Sequence, residues 1–391
     1  MLKVLHVMPS FVPAWRYGGP TESVYQLCRH LALAGCEVRV LTTDADGRDR
    51  VLDVEKRREV EMAPGLRVRY CPRVISESVS PTMLGLLSKY AAWADIMHLT
   101  AVYSFPTFPV LVAGRLLGKP LVWSPHGSLQ RWRRSRRRCL KEAWETVCRA
   151  LMPSNTTLHL TSNAEKAASI GRMPRAHAGV IPNGVVIPAS VRRVRDGATL
   201  RLGFIGRLHP IKGIENLLCA CEHLEKDGSI AFTLAIAGAG HADYEQTLRK
   251  LVSELGLERR VKMLGVVRDE AKASFFEECN VVIVPSYMEN FGMVVAEALA
   301  YAVPVIASRG TPWKDVERVG CGLWADNTPE SLADAIARMN DLPLEEMGMR
   351  GRRWMSEEFS WPRVASQMVA LYERSLSKPV KTAAESPASA A

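Results

Sequence analysis

The chain has 391 residues, enough for two domains, and its 47% apolar and 24% charged residues are the balance of an ordinary soluble globular protein. No apolar run approaches the ~18 residues that a spanning helix needs. Nine cysteines, an odd number with no CxxC, exclude a zinc site and point to free thiols in a reducing compartment.

The opening MLKVLHVMPSF has no small-residue cleavage site, so Lys3–Val7 reads as a buried first strand rather than a signal sequence, and a cytoplasmic protein is expected. A loop carrying Gly18 and Gly19 follows, then an amphipathic helix over Thr21–Ala34 that Gly35 stops. Glycines at that place let backbone approach a phosphate, and the helix adds its dipole. The dinucleotide fingerprint GxGxxG is absent from this turn, which argues against an NAD enzyme. After a strand at Glu37–Leu41, Asp44-Ala45-Asp46 spells DxD, a metal-holding string elsewhere. With Gly47 next, it reads here as a turn, and no metal site is expected. Strands follow at Asp95–Leu99 and Pro120–Ser124, and the second delivers His126, in SPHG, to its carboxyl end. A histidine so placed suits contact with a substrate sugar or an acceptor.

Residues 131–141, RWRRSRRRCLK, hold seven basic residues and no acid, within a net charge of +10. Trp132, Leu140, Trp144, Val147 and Leu151 recur at roughly helical spacing, so the segment reads as an interfacial helix with apolar anchors beside cations. Arg131–Lys141 is expected to meet an anionic membrane surface or an acidic acceptor, in preference to serving as a solvated face. Nothing else in the chain resembles a nucleic-acid reader. Strands at Thr157–Leu160 and Gly179–Ile181 end this half, and the basic, polar Arg192–Gly197 reads as a linker.

A second series then begins: strand Leu200–Ile205, helix Gly213–Lys226, strand Phe232–Ala237, helix Ala242–Leu255, and strands Val261–Leu264, Val281–Val284 and Val303–Ala307. Uniformly apolar strands suit a parallel sheet with helices on both faces. Two βα series of similar size predict two doubly wound α/β domains with a cleft between them, ligands gathering at the strands' carboxyl ends. The expected division is 1–195, 196–361, a final helix within 362–377, and a disordered Ala/Ser/Pro-rich tail over 378–391.

Two stretches carry chemistry. In Pro285–Ser308, Glu289 precedes a helix begun by Phe291-Gly292 that carries Glu297 two turns further on. The helix N-terminus suits a phosphate, and the two carboxylates suit hydroxyls of one elongated ligand. In Gly203–Gly213, Arg207 and Lys212 sit in a Gly-bounded loop after a strand, where fixed cations would meet charge on a diphosphate leaving group without a metal. A further segment, PNGV at Pro182–Val185, bears on the resemblance alone.

Together GRLHPIKG, ENFGMVVAE and PNGV resemble the family 4 glycosyltransferases, from the GGP loop to the FSW segment at Phe359–Trp361. The resemblance implies the GT-B fold: two facing Rossmann-like domains, with a last helix, about Pro362–Leu376, crossing back onto the N-terminal one. It implies that Glu289, Asn290, Phe291 and Gly292 contact the donor's sugar and phosphates, and that Glu297 holds the ribose hydroxyls. Arg207 and Lys212 would grip the diphosphate, Gly19 would face the phosphates, and His126 matches the family's active-site histidine. Base contacts are expected around Gly265–Val267. SPHGSL and GTPWKDVE…GCGLW are similar to members that build bacterial surface polysaccharides, many of which act on lipid-linked acceptors at the inner face of the cytoplasmic membrane. The implied reaction is retaining transfer of a hexose from a nucleotide-diphosphate sugar to a glycan or polyprenyl-linked acceptor, with no cofactor and no metal. A nucleotide-sugar 2-epimerase and a noncatalytic nucleotide-sugar-binding protein are the alternatives.

Overall fold

A computed structural model describes residues 1–15, 19–47, 49–75, 78–131, 137–192, 199–228 and 230–377. The chain divides into two compact units, Met1–Gly184 with the segment from Trp361 onward, and Val185–Ser360. The division falls before the linker expected from sequence. The Val185 amide donates to the Phe359 carbonyl at 2.8 Å, so the second unit begins and ends with its strands of chain side by side.

The first unit holds β1 (Lys3–Ser10), α1 (Gly19–Leu33), β2 (Glu37–Thr43), β3 (Val60–Ala63), β4 (Leu66–Cys71), α2 (Pro81–Trp93), β5 (Ile96–Thr100), α3 (Thr107–Leu116), β6 (Leu121–Ser124), α4 (Arg138–Leu151), β7 (Thr156–Leu160), α5 (Asn163–Ile170) and β8 (His177–Val180). Its sheet runs β3-β4-β2-β1-β5-β6-β7-β8. Every pairing is parallel except β3 with β4, a hairpin not anticipated from sequence.

The second unit holds β9 (Leu200–Ile205), α6 (Ile214–Asp227), β10 (Phe232–Ala237), α7 (Ala242–Glu254), β11 (Val261–Gly265), α8 (Asp269–Glu278), β12 (Val281–Val284), α9 (Met293–Ala300), β13 (Val305–Ser308), α10 (Asp315–Val319), β14 (Gly322–Ala325), α11 (Pro329–Asn340) and α12 (Leu344–Glu358). The parallel order is β11-β10-β9-β12-β13-β14. β12 is apolar at every position, and both β12 and β13 are buried throughout because helices cover both faces.

The last helix, α13 (Trp361–Leu376), belongs to the first unit and packs against α1. Gly184 makes the junction possible, since a Cβ there would lie 2.4 Å from the Trp361 ring. In the first sheet, alternate residues face opposite layers. Leu5, Met97, Leu121 and Leu158 join the core with residues of α2, α3 and α4, whereas Val4, Ile96 and Val122 join that of α1 and α13.

This α1/α13 side also receives His6, His98, Ser124 and His159, all buried. The chain of bonds fixes every proton. His159 Nε2–H donates to the Ile181 carbonyl at 3.0 Å, so its Nδ1 accepts from Ser124 Oγ at 2.7 Å. Ser124 Oγ in turn accepts from His98 Nε2–H at 2.6 Å, and His98 Nδ1 accepts from the Tyr372 hydroxyl of α13 at 2.6 Å. Three strands and the returning helix are thereby joined through neutral rings.

Burial holds His98 well below its ordinary pKa, and it lowers His159 to about 4 and His6 to about 3, with neighbouring imidazoles adding to the effect on His98 and His6. The folded values lie below the unfolded value near 6.5, so the unfolded chain takes up protons first as pH falls. Stability is therefore expected to be full above pH 6.5 and to fall toward pH 4, by up to about 1.4 kcal/mol per pH unit for each histidine. Urea midpoints at pH 7.5, 6.5 and 5.5 measure this, and equal midpoints would contradict it. Tyr372→Phe leaves His98 Nδ1 unpaired and is expected to destabilise by about 1–3 kcal/mol.

Candidate active site

In the second unit, the segment after β9 is shaped by glycines. Gly206 donates its amide to the Ala237 carbonyl at 3.0 Å, and a Cβ on Gly238 would fall 1.8 Å from the Gly206 carbonyl oxygen. This close approach brings together the segments that follow β9 and β10. Arg207 is exposed just beyond it. A single 3₁₀ turn, Pro210–Lys212, then opens with the His209 side chain accepting from the Ile211 amide at 3.1 Å. Gly213 closes the turn in the left-handed region at φ 64°, where a Cβ would lie 2.1 Å from the Pro285 carbonyl oxygen. The tight contact sets Lys212 beside the segment that follows β12.

There the Lys212 ammonium donates to Glu289 Oε1, which also accepts from Ser286 Oγ at 2.8 Å. The Glu289 amide donates to the Gly310 carbonyl at 2.9 Å, tying the segment to the end of β13. Burial, and after it the charges of Arg207 and Lys212, push the His209 pKa down, so this ring stays neutral between the two cations. Arg207, Lys212 and Glu289 are thus brought to one end of the second sheet.

Gly292 adopts φ 79° immediately before α9, and no side chain caps that helix. A Cβ at Gly292 would lie 3.2 Å from Trp313 Nε1, and that indole donates to the Phe291 carbonyl. Trp313 lies against Phe291, Trp354 and Phe359, with ring centroids 5.1, 5.6 and 5.3 Å away. Beyond the aromatic content of the segment, no sequence pattern pointed to this support. Asn290 and Phe291 therefore lead directly into the uncapped start of α9, a place where backbone amides favour an anion. Glu297, further along α9, accepts from Lys272 of α8 at 2.6 Å. Lys272 was not anticipated, because it lies in no recognisable motif.

The remaining expected residues lie in the first unit. Gly19 opens α1, with nothing within 4 Å of the position a Cβ would take; Gly18 lies outside the described residues. His126 follows β6 at φ 47° and is half-buried, its ring edge-on to His159 with centroids 6.3 Å apart. Burial first, and the His159 ring second, lower its pKa to about 3. The next residue is pinned: the Gly127 amide donates at 2.6 Å to Glu165 Oε1, whose other oxygen takes the Thr161 amide at 2.7 Å. Asp44 is likewise engaged, by Lys56 Nζ at 2.8 Å and the Arg73 amide at 2.8 Å.

The basic segment requires correction. Helix α4 begins only at Arg138, Arg137 precedes it at φ 59°, and Trp132, Arg133, Arg134 and Arg136 lie outside the described residues. Arg131 is not displayed to solvent. Its side chain is 12% exposed and pairs at 2.7 Å with Glu145, which also takes Arg172 at 3.1 Å and the Tyr103 hydroxyl. Burial alone would raise the Glu145 pKa, but the Tyr103 and Arg172 hydrogen bonds and the Arg131 charge hold it below the ordinary range. Trp144 is no surface anchor either: its ring lies tilted against Phe108, with centroids 4.0 Å apart, and it donates to the Val102 carbonyl at 2.9 Å. An inward face for Trp144 is what packing against α3 demands. Leu140 and Val147 are the large exposed apolar residues of α4, at 61% and 44%.

Comparison with known proteins agrees with both halves. Residues 18–184 match the glycosyl transferase 4-like domain, and residues 193–354 match the glycosyl transferases group 1. The chain is 26% identical to the D-inositol 3-phosphate glycosyltransferase of Streptomyces griseus, over 92% of this chain and 85% of that one. Among solved structures it resembles the sucrose-phosphate synthase of Thermosynechococcus elongatus, with a TM-score of 0.76, 22% identity, and coverage of 96% and 99%. Anabaena HepE in complex with UDP and glucose is similar at a TM-score of 0.71 and 18% identity, covering 95% of this chain and all of that one (100%). Two parallel-sheet units with the GT-B fold, and family matches to each of them, make this chain a member of the group 1, family 4-like glycosyltransferases and a transferase enzyme.

Proposed function

We propose that the enzyme moves a hexosyl group, with retention, from a nucleotide-diphosphate sugar to a hydroxyl of a glycan or lipid-linked acceptor in bacterial surface polysaccharide synthesis. The observation that carries this reading is the meeting of Lys212, Glu289 and the uncapped start of α9, with Arg207 exposed after the neighbouring strand. A diphosphate gains negative charge as its bond to the sugar breaks. Two cations, Lys212 held by Glu289 and Arg207 near it in sequence, oppose that charge together with a helix terminus. In this reading Glu289 takes hydroxyls of the sugar, and Glu297 takes those of the ribose.

His126 bears on how the acceptor loses its proton. A ring whose pKa is near 3 is a weak base at neutral pH, so it serves as a hydrogen-bonding group. The departing phosphate is the better acceptor for that proton, which favours attack on the same face the leaving group departs from, and hence retention.

Arg207→Ala and Lys212→Ala are each expected to lower kcat/KM by about 10²-fold or more, with kcat carrying the loss. Steady-state kinetics with UDP- and GDP-hexoses test this, and a raised KM with unchanged kcat would reduce both residues to donor binding. The same assay in excess EDTA should show undiminished turnover. Loss that Mn²⁺ or Mg²⁺ restores would overturn a metal-independent mechanism.

Peripheral attachment of the basic segment to the inner face of the cytoplasmic membrane is part of the proposal; among the described residues, Arg137, Arg138, Leu140 and Val147 are exposed for it. Each cation near an anionic surface contributes about 1 kcal/mol, screened by salt. Co-sedimentation should rise with phosphatidylglycerol content, fall with salt, and weaken in an Arg137→Gln/Arg138→Gln/Leu140→Ser variant. Equal sedimentation with phosphatidylcholine alone would refute it.

A further inference from the structure

Lys272 and Glu297 come from two different helices and form the lower of two rungs. Lys272 and Phe276 are four apart on α8; Glu297 and Tyr301 are four apart at α9 and its end. Side chains four apart share a helix face. The Phe276 and Tyr301 rings stack, with centroids 5.1 Å apart and planes 24° apart. Phe276 is fully buried, so the stack fixes how the two helices meet. One turn away on each helix, Lys272 Nζ donates to Glu297 Oε1 at 2.6 Å, with the two side chains 35% and 22% exposed. The pair is held by a buried contact rather than by its own weak surface attraction.

We propose that Lys272 is a specificity-determining residue of the donor site, reading the ribose together with Glu297. The proposal rests on the reading that Glu297 holds the ribose hydroxyls. A carboxylate can only accept hydrogen bonds, and an ammonium can only donate them. With Oε1 committed to Lys272, Glu297 offers Oε2 to one ribose hydroxyl, which donates. The ammonium has hydrogens beyond the one on Oε1, and these suit the oxygen of the other hydroxyl. The diol is then read as one donor and one acceptor by two charged groups of opposite sign. Removing either hydroxyl leaves a charged group short of a partner, which costs more than losing a neutral hydrogen bond. The pair is also neutral overall, so Glu297 does not repel the diphosphate of the same ligand.

The test is calorimetric binding of UDP and GDP, and of their 2′-deoxy and 3′-deoxy counterparts, to the full chain. Wild type is expected to prefer the ribonucleotide over both deoxy forms by about 10-fold or more. Lys272→Met keeps the aliphatic stem and removes the donor. It should reduce the preference at one hydroxyl to within about 3-fold while the other penalty persists, and Lys272→Arg should restore part of it. An unchanged melting temperature in Lys272→Met shows that the stacked helices are intact; Lys272→Gln serves if Met disturbs them. A variant that binds every nucleotide more weakly by the same factor, or keeps the wild-type ribose preference, overturns this role while leaving the donor site in place. Wild type that binds neither UDP nor GDP overturns the donor-site reading and this inference with it.

Discussion

A histidine ring can be buried cheaply only when it is neutral and both its nitrogens are used. That constraint governs the first unit, where the Ile181 carbonyl sets one proton and every later proton in the chain to Tyr372 follows from it. The chain crosses β7, β6 and β5 and ends on α13, so the last helix is held by polar direction as well as by apolar contact. Apolar packing of Trp361, Val364, Met368 and Leu371 tolerates small slides of a helix. A hydroxyl aimed at one imidazole nitrogen does not. The same layer ends in Ser124, two residues before His126, so the strand that delivers this histidine is the strand the chain grips.

The second unit meets a different requirement, that of gathering charge at one sheet end without long-range electrostatics to assemble it. Backbone contact does the gathering. Gly238 against Gly206 and Gly213 against Pro285 are approaches that no side chain would permit. Each places a segment carrying a candidate site residue within reach of the next. Lys212 then finds Glu289 because the Gly213 contact leaves it no distance to cross. Trp313 adds a lock on the carbonyl side of Phe291, holding open the left-handed turn at Gly292.

Glu289 and Glu297 are thereby both paired with lysines that differ in origin. Lys212 belongs to the recognisable GRLHPIKG loop, whereas Lys272 stands on α8, outside any motif. The two pairs keep the local charge balanced around an anion-favouring helix start. Net charge of the chain says nothing of this, since +10 is spread over residues as different as solvent-facing Arg138 and enclosed Arg131.

Much was determined by the sequence alone. Strands such as Val281–Val284 announce themselves by continuous apolar residues, and glycines at 206, 213 and 292 mark backbone shapes that other residues resist. The doubly wound fold and the motif residues were legible for that reason, as was the return of α13, carried by the family resemblance. The β3–β4 hairpin was not, because its edge strand β3 has only four residues and none of them is buried. Periodicity tells whether a side chain faces inward but not what it meets there. Trp144 and Arg131 fitted a basic amphipathic face until the packing of α4 on α3 and the buried Glu145 claimed them. The partners of His98, Phe291 and Glu297 were decided the same way, by elements up to 274 residues apart whose meeting depends on helix crossing and strand order. Those are properties of the packed chain, and no local pattern encodes them.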